Sequence, residues 1–184
     1  MEIDTIAYIG RFQPFHNGHL STLLRGLQLA KQVVVVLGSA NKPSTLKNPW
    51  NASDRQEMIR SSIPNDIYPE RVKFVRADDY PGDDSGWTNQ IRSLIIPHTS
   101  NGKFELIGSN KDESTYYFKF FPDIYLHQPL KLLLSGTEIR KYYFNGASDW
   151  ETMVPGGSQK FLLDFKNTEQ YDILRKGKYG QSDS

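Results

Sequence analysis

Two histidines, His16 and His19, stand three residues apart in the segment GRFQPFHNGH, between a short apolar run and a helical pattern. In an α/β protein such a loop presents backbone N–H groups and a helix N-terminus to an anion. Gly10 lets the chain leave the strand sharply, Gly18 lets a ligand approach the backbone, and Arg11 adds a permanent cation. The segment therefore predicts a polyphosphate site. A metal site is the alternative, but no carboxylate accompanies the histidines at ligand spacing.

A second phosphate-binding pattern is SGTEIR at residues 135–140. Ser135 or Thr137 can cap a helix there and offer a hydroxyl to phosphate, while the N–H groups of the first turn point the same way. Arg140 lies in that first turn, where a cation opposes the helix dipole. Because a bound anion would neutralise both, the pattern favours a phosphate site over a capped surface helix with an exposed arginine.

Strand and helix signals alternate along the chain and supply the scaffold for these two loops. Short apolar runs, several closed by glycine, predict strands at 5–10, 33–37, 72–75, 104–107 and 124–126. Leucine spacing predicts a helix over 19–32, and further helices are expected from Ser53 (with Gln56 closing a capping box), Trp87, Asp112 and Ser135. This alternation predicts an α/β fold, a Rossmann-like doubly wound parallel sheet in a single domain.

Composition narrows the class of partner. Among 184 residues, 22 Lys and Arg against 21 Asp and Glu give a net charge of +1, which argues against nucleic acid and membrane surfaces as partners. The absence of cysteine excludes a thiol nucleophile and fits a reducing compartment. No secretion signal or membrane-length apolar run is evident. We therefore expect a cytoplasmic protein, and the composition leaves open a small anionic substrate held by a few local cations.

Taken in order, the motifs resemble those of the nucleotidyltransferase superfamily, whose mark is His (or Thr)-x-Gly-His after the first strand. Three further segments are similar to segments of archaeal-type nicotinamide mononucleotide (NMN) adenylyltransferases, namely GSA at 38–40, KNPW at 47–50 and SDR at 53–55. Trp87 sits where that family carries a tryptophan, and the resemblance covers residues 5–160. KDES at 111–114 resembles the subgroup fused to a Nudix hydrolase. Since the chain carries no Nudix signature, we expect an isolated transferase domain or a stand-alone relative.

The resemblance implies adenylyl transfer from ATP to NMN, giving NAD and pyrophosphate, with Mg²⁺ accompanying the triphosphate and no protein side chain as metal ligand. His16, His19 and Arg140 would be the catalytic residues. Further ATP contacts would come from Gly10, Arg11, Phe12, Gly18, Asp112, Ser135, Gly136 and Thr137. The NMN contacts would come from Gln13, Ser39, Lys47, Asn48 and Trp87.

Two of these NMN contacts have open alternatives. Lys47 stands where the archaeal enzymes carry arginine, and it cannot make a planar bidentate contact, so it could equally be a solvated surface lysine. Trp87 can stack on the positively charged pyridine ring or form part of the core at the start of its helix. At the level of the whole protein, the alternatives are a transferase with another acceptor, such as phosphopantetheine, and a non-catalytic nucleotide sensor.

We expect residues 1–157 to form the transferase domain, and residues 158–184 to form a C-terminal helical segment and tail of the same domain. The expected partners are ATP and NMN and, in a homo-oligomer, further copies of the chain. A Nudix hydrolase domain is expected if the natural chain is longer.

Overall fold

The computed structural model describes residues 3–67, 70–108, 113–129 and 133–179. By their internal contacts the residues group into two compact units. The first unit comprises Met1–Arg11, Ser21–Asn41 and Pro64–Leu132, and the second comprises Phe12–Leu20, Lys42–Ile63 and Leu133–Ser184.

The first unit is built on a parallel sheet of five strands. In chain order these are β1 (Ile3–Gly10), β2 (Ala30–Leu37), β3 (Val72–Arg76), β4 (Glu105–Ile107) and β5 (Leu126–His127). Their order across the sheet is β3-β2-β1-β4-β5, with every neighbouring pair parallel. The winding direction reverses between β1 and β4, and open α/β sheets bind ligands beyond the carboxyl ends of strands at such a switch point.

The described helices are α1 (Asn17–Leu29), α2 (Ala52–Arg60), α3 (Asp84–Ile95), α4 (Gly136–Asn145), α5 (Gly156–Phe165) and α6 (Glu169–Tyr179). Short 3₁₀ helices lie at Ile96–His98, Glu113–Phe120 and Asp149–Met153. None of the helices in the described ranges is both long and apolar enough to cross a membrane.

Helices of the first unit cover both faces of its sheet. A Cβ on Gly26 of α1 would lie 3.0 Å from the Val33 side chain, so this glycine lets the helix approach β2 closely. On the opposite face, Ile91 of α3 belongs to one cluster with Val34 and Val36. Successive valines of β2 thus face opposite layers, which explains why the whole run is buried. The predicted Rossmann-like doubly wound parallel sheet is confirmed.

The described part of the second unit is helical and packs around an aromatic cluster. The Tyr143 ring of α4 makes edge-on contacts with Trp50 at 5.8 Å, Trp150 at 5.2 Å and Tyr171 at 5.3 Å between ring centroids. Its hydroxyl donates to the Leu162 carbonyl at 2.7 Å. These contacts hold α4, which carries the second phosphate pattern, against α5 and α6.

Several predicted element boundaries were wrong. Helix α3 begins at Asp84, three residues before the predicted start at Trp87, because Asp83 caps it. Strand β5 covers Leu126–His127 and not the predicted 124–126. Helix α1 ends at Leu29 because residues from Ala30 onward pair with β1. Helix α2 is capped by Asn51, whose side chain accepts the Asp54 N–H at 3.0 Å while the Asp54 carboxylate accepts the Asn51 N–H at 3.0 Å. This capping box replaces the predicted one at Ser53. Burial raises the pKa of the Asp54 carboxyl, against the opposing effect of its hydrogen bond to Asn51.

Candidate active site

In the second unit, the loop that follows β1 ends in a pair of histidines that cap α1. The His19 N–H donates to Nδ1 of His16, and the His16 N–H donates to Nδ1 of His19, both at 3.3 Å. The pair forms a capping box in which imidazoles replace the usual hydroxyl and carboxylate. Because both Nδ1 atoms accept, each neutral ring carries its proton on Nε2. Nε2–H is therefore the group that each imidazole can donate to a ligand.

Aromatic packing fixes the orientation of the two imidazoles. Their rings stack with centroids 3.6 Å apart, and His16 is only 4% exposed. The Phe15 ring stacks on His19 at 5.8 Å, and the Phe12 ring meets it edge-on at 5.0 Å. Phe12 has a φ of 52°, in the left-handed region that few non-glycine residues adopt. The histidines are therefore held in place by their surroundings within the loop.

The second phosphate pattern lies against this loop within the same unit. Arg140 Nη1 donates to the Gln13 carbonyl at 2.5 Å, and Nη2 donates to Thr137 Oγ1 at 3.1 Å. A Cβ on Gly136 would lie 2.8 Å from the Gln13 carbonyl oxygen, so glycine is needed for the approach. Ser135, one of the two candidate caps, occupies the N-cap position of α4, but its side chain makes no capping hydrogen bond.

Gln13 also anchors the loop that carries the KNPW segment. Its buried amide donates to the Trp50 carbonyl at 2.7 Å and accepts the Trp50 N–H at 3.2 Å. Lys47 in this loop is exposed. Asn48 Oδ1 is shielded from solvent and has no hydrogen-bond partner within the described ranges. A buried acceptor without a donor costs free energy, so this atom is a candidate ligand contact.

Other predicted site residues lie in the first unit, beyond the carboxyl ends of its strands. The Gly38 N–H donates to the Gly10 carbonyl at 2.9 Å, which joins the ends of β1 and β2. Ser39 is 8% exposed, has a φ of 53°, and donates its hydroxyl hydrogen to Asp79 Oδ1 at 3.0 Å. Trp87 of α3 is half-buried, with its ring 5.5 Å from that of Tyr117.

Three further predicted ATP contacts are Arg11, Gly18 and Asp112. Arg11 is half-buried directly after β1, and Gly18 lies in the first turn of α1. Asp112 lies outside the described residues.

The loop at 78–84 contains four aspartates. Asp78 is exposed, but Asp79 accepts the Ser39 hydroxyl, and Asp83 caps α3 by accepting the Gly86 N–H at 2.7 Å. Sequence reasoning missed the role of Asp79. The available signal was its position just after β3, because the adjacent parallel strand β2 ends just before Ser39.

The chemistry offered by this arrangement is hydrogen-bond donation to negative charge, from imidazole Nε2–H groups, a guanidinium and the first turns of α1 and α4. In the part of the chain that is described, no group of three or more His, Asp or Glu side chains is arranged to hold a metal ion. A parallel sheet whose first strand leads into an imidazole-capped phosphate loop is the architecture of a nucleotidyltransferase.

Comparison with known proteins agrees with this class. Residues 7–141 match the cytidylyltransferase-like family. The chain is 37% identical to the nicotinamide/nicotinic acid mononucleotide adenylyltransferase of Acinetobacter baylyi, covering 100% of this chain and 97% of that protein. It is 28% identical to the nicotinamide-nucleotide adenylyltransferase of Thermococcus onnurineus, covering 91% of this chain and 86% of that protein. The chain therefore belongs to the cytidylyltransferase-like family.

Solved structures extend the comparison. A bifunctional NMN adenylyltransferase/ADP ribose pyrophosphatase from Francisella tularensis matches with a TM-score of 0.85 and 29% identity, over 96% of this chain and 54% of that chain. The same protein complexed with AMP and a manganese ion matches with a TM-score of 0.83 and 28% identity. The chain thus spans about half the length of that protein. The resemblance to NMN adenylyltransferases, and to the transferase part of the bifunctional subgroup, is confirmed.

Proposed function

We propose that the protein transfers the adenylyl group of ATP to NMN, giving NAD and pyrophosphate. The observation that carries this proposal is the hydrogen bond from Arg140 to the Gln13 carbonyl, beside the capping box of His16 and His19. It supports the proposal because the side chains proposed as catalytic, from both predicted phosphate motifs, belong to one unit. The adenylyltransferase names of the full-length relatives support the same reaction.

The chemistry of this reaction matches the side chains at the site. An oxygen of the NMN 5′-phosphate forms a bond to the α-phosphorus of ATP, the bond to the β-phosphate oxygen breaks, and pyrophosphate leaves. A phosphate monoester has a second pKa of about 6, so the nucleophile is largely dianionic at neutral pH and needs no general base. Catalysis then requires in-line alignment and stabilisation of negative charge.

His16, His19 and Arg140 are assigned to the triphosphate of ATP. Each Nε2–H donates to a phosphoryl oxygen, and the guanidinium neutralises the charge that develops on the leaving pyrophosphate. The bonds that Arg140 makes to Gln13 and Thr137 orient the guanidinium before ATP binds. The proposed further contacts to ATP remain Gly10, Arg11, Phe12, Gly18, Ser135, Gly136 and Thr137.

The proposed contacts to NMN remain Ser39, Lys47, Asn48 and Trp87. The shielded Asn48 Oδ1 supports this assignment, because a substrate donor would satisfy it. Trp87 presents a large aromatic ring suited to a pyridinium. Gln13 is proposed as a positioning residue, since its amide is bonded on both sides to the Trp50 backbone.

The proposed metal is Mg²⁺ bound to ATP. The donor set fits this arrangement, because His and Arg groups bind phosphate directly while Mg²⁺ retains water and phosphate oxygens as its ligands. When bound, the ion would supply charge neutralisation of the triphosphate. Four other features of the protein also remain proposals. They are a cytoplasmic location, a homo-oligomeric state, a Nudix domain in a longer natural chain and the domain boundary at residue 157.

The test is pyrophosphate release from ATP with NMN, its nicotinic acid analogue and phosphopantetheine as separate acceptors. We expect NMN to be used, and His19→Ala or Arg140→Ala to lower the rate about 100-fold, the effect of one lost transition-state contact. His98→Ala and Arg60→Ala serve as controls that remove the same side-chain types elsewhere. ATP binding without turnover would identify a nucleotide sensor, and turnover with phosphopantetheine alone would identify a different transferase.

A further inference from the structure

We propose that Asp79 is a positioning residue for NMN, which fixes the Ser39 hydroxyl so that its oxygen meets the substrate only as a hydrogen-bond acceptor. This inference rests on the proposed function and deepens it, because it states which kind of substrate group the Ser39 turn recognises. All the residues that carry it lie in the first unit.

The turn after β2 and the turn after β3 are joined into one frame. Besides the bond from Ser39 to Asp79, the Ala40 N–H donates to the Ala77 carbonyl at 2.9 Å. The Asp79 N–H donates to Asn41 Oδ1 at 3.0 Å, and Asn41 Nδ2 donates back to the Asp79 carbonyl at 3.2 Å. Asp79 is thus held through its backbone, while its carboxylate holds the side chain of Ser39.

This frame determines what Ser39 can offer. A hydroxyl has one hydrogen and two lone pairs. Ser39 donates that hydrogen to Asp79, so its remaining capacity is to accept. Phosphate dianions and carboxylates also only accept, so they make poor partners for it. The NMN groups that fit are donors, namely the carboxamide N–H₂ and the ribose hydroxyls.

The same frame extends to the helix that carries Trp87. The Asp78 N–H donates to Gln90 Oε1 at 3.0 Å. Gln90 lies three residues beyond Trp87, on the same side of α3. The frame therefore links the turn containing Ser39 to the helix of the proposed pyridine-stacking residue. A defect in the frame should appear in the KM for NMN and not in the KM for ATP.

The test compares Asp79→Ala with Asp78→Ala, a control that removes the same charge from the neighbouring exposed residue and leaves its backbone bond to Gln90. We expect Asp79→Ala to raise the KM for NMN about tenfold relative to the control, the size of one substrate hydrogen bond. The kcat and the KM for ATP should change little. Asp79→Asn should restore most of the affinity, because an amide oxygen can still accept the Ser39 hydroxyl.

A second variant tests whether Asp79 acts through Ser39. Ser39→Ala removes the acceptor and its bond to Asp79, leaves the other bonds of the frame in place, and should raise the KM for NMN to a similar degree. Adding Asp79→Ala to Ser39→Ala should then have little further effect. Thermal unfolding of each variant checks that the fold is retained. An increase seen with NMN but not with its nicotinic acid analogue would identify the carboxamide as the donor, and an equal increase with both would identify the ribose.

Three outcomes would overturn the inference. These are equal KM values in Asp79→Ala and Asp78→Ala, an Asp79→Asn variant as impaired as Asp79→Ala, or a full effect of Asp79→Ala in the Ser39→Ala background. Failure of the proposed function would look different, because the wild-type chain would then not convert NMN at all.

Discussion

Gly136 is the position at which the contact between the two phosphate motifs can be disturbed with one added carbon atom. A Cβ built there lies 2.8 Å from the Gln13 carbonyl oxygen and 3.4 Å from Arg140 Nη1. Gln13 belongs to the loop that precedes the paired histidines, and its carbonyl accepts the Arg140 guanidinium. Gly136→Ala should therefore separate Arg140 and the helix α4 from that loop while leaving every proposed catalytic side chain in the sequence.

The expected magnitude follows from these distances. Ordinary van der Waals contacts of a Cβ begin at 3.4 Å, so the loop and α4 must move apart by roughly 0.6 Å. Overpacking of this kind costs about 1–3 kcal/mol of unfolding free energy. The better helix propensity of alanine returns up to about 1 kcal/mol. A misplacement of 1 Å can lower a rate about 100-fold, so a shift of roughly half that size should lower kcat about tenfold.

The assay is pyrophosphate release at saturating ATP and NMN, with unfolding in urea measured in parallel. Gly156→Ala is the matched control, because Gly156 begins α5 as Gly136 begins α4, and nothing lies within 4 Å of its added Cβ. The control should turn over like the wild type and unfold no more easily. If Gly136→Ala matched this control in kcat, the approach of α4 to Gln13 would not be needed for the reaction, and the reasoning would be refuted.

Three further predictions concern stability and substrate binding. Gly157→Ala should lower the free energy of unfolding by about 2 kcal/mol or more, because its Cβ would lie 2.3 Å from the Ser61 carbonyl group. Urea unfolding measures this free energy, and a decrease no greater than that of Gly156→Ala would contradict the prediction. Trp87→Ala should weaken NMN binding more than ATP binding in calorimetry, whereas equal losses would indicate a role in folding only. The hydrogen bond from Arg92 lowers the pKa of Asp123 from its usual 3.8. The pair therefore stabilises the fold above that value and loses its effect as pH falls through the lower folded pKa, so Asp123→Asn should flatten the acid side of a urea-unfolding pH profile.

The sheet was predictable because its signals are local. The run VVVVL ending in glycine has no polar alternation, and that pattern already predicts a strand covered on both faces. The end of α1 was not predictable from periodicity, because a helical pattern continues through Ala30 to Gln32. Those residues join the sheet, where pairing with β1 satisfies their backbone groups. Tertiary pairing overrode the local preference.

The cap of α2 shows why overlapping patterns mislead. The stretch NASDRQ contains two possible capping boxes, Asn51 with Asp54 and Ser53 with Gln56. The backbone of Trp50 is bonded on both sides to Gln13, so the loop is anchored at Trp50 and the helix begins directly after Asn51. The anchor is Gln13, which lies 37 positions before Trp50, so the local sequence does not reveal it.

In the candidate site, too, local features were predictable and long-range contacts were not. Residue type and position were enough to propose His16, His19 and Arg140 as phosphate-binding residues. Helix N-termini and glycine-rich turns are local sequence features that indicate phosphate binding. The hydrogen-bond partners of these residues could not be predicted from the sequence, since the bond from Arg140 to Gln13 joins residues 127 positions apart. The imidazole capping box was also missed, because such boxes are recognised by hydroxyl and carboxylate residues.

That capping box gives His16 two tasks, which one substitution can separate. Nδ1 caps α1, and Nε2–H is assigned to phosphate. Asparagine is a strong N-cap whose amide oxygen can accept the His19 N–H, so His16→Asn should keep an unfolding free energy close to that of the wild type, whereas His16→Ala should lose about 1 kcal/mol or more. Both variants should lower adenylyl transfer about 100-fold, since neither offers the Nε2 donor. A wild-type rate in His16→Asn would mean that the reaction needs only the cap of α1, and the assignment of His16 to the triphosphate would then fail.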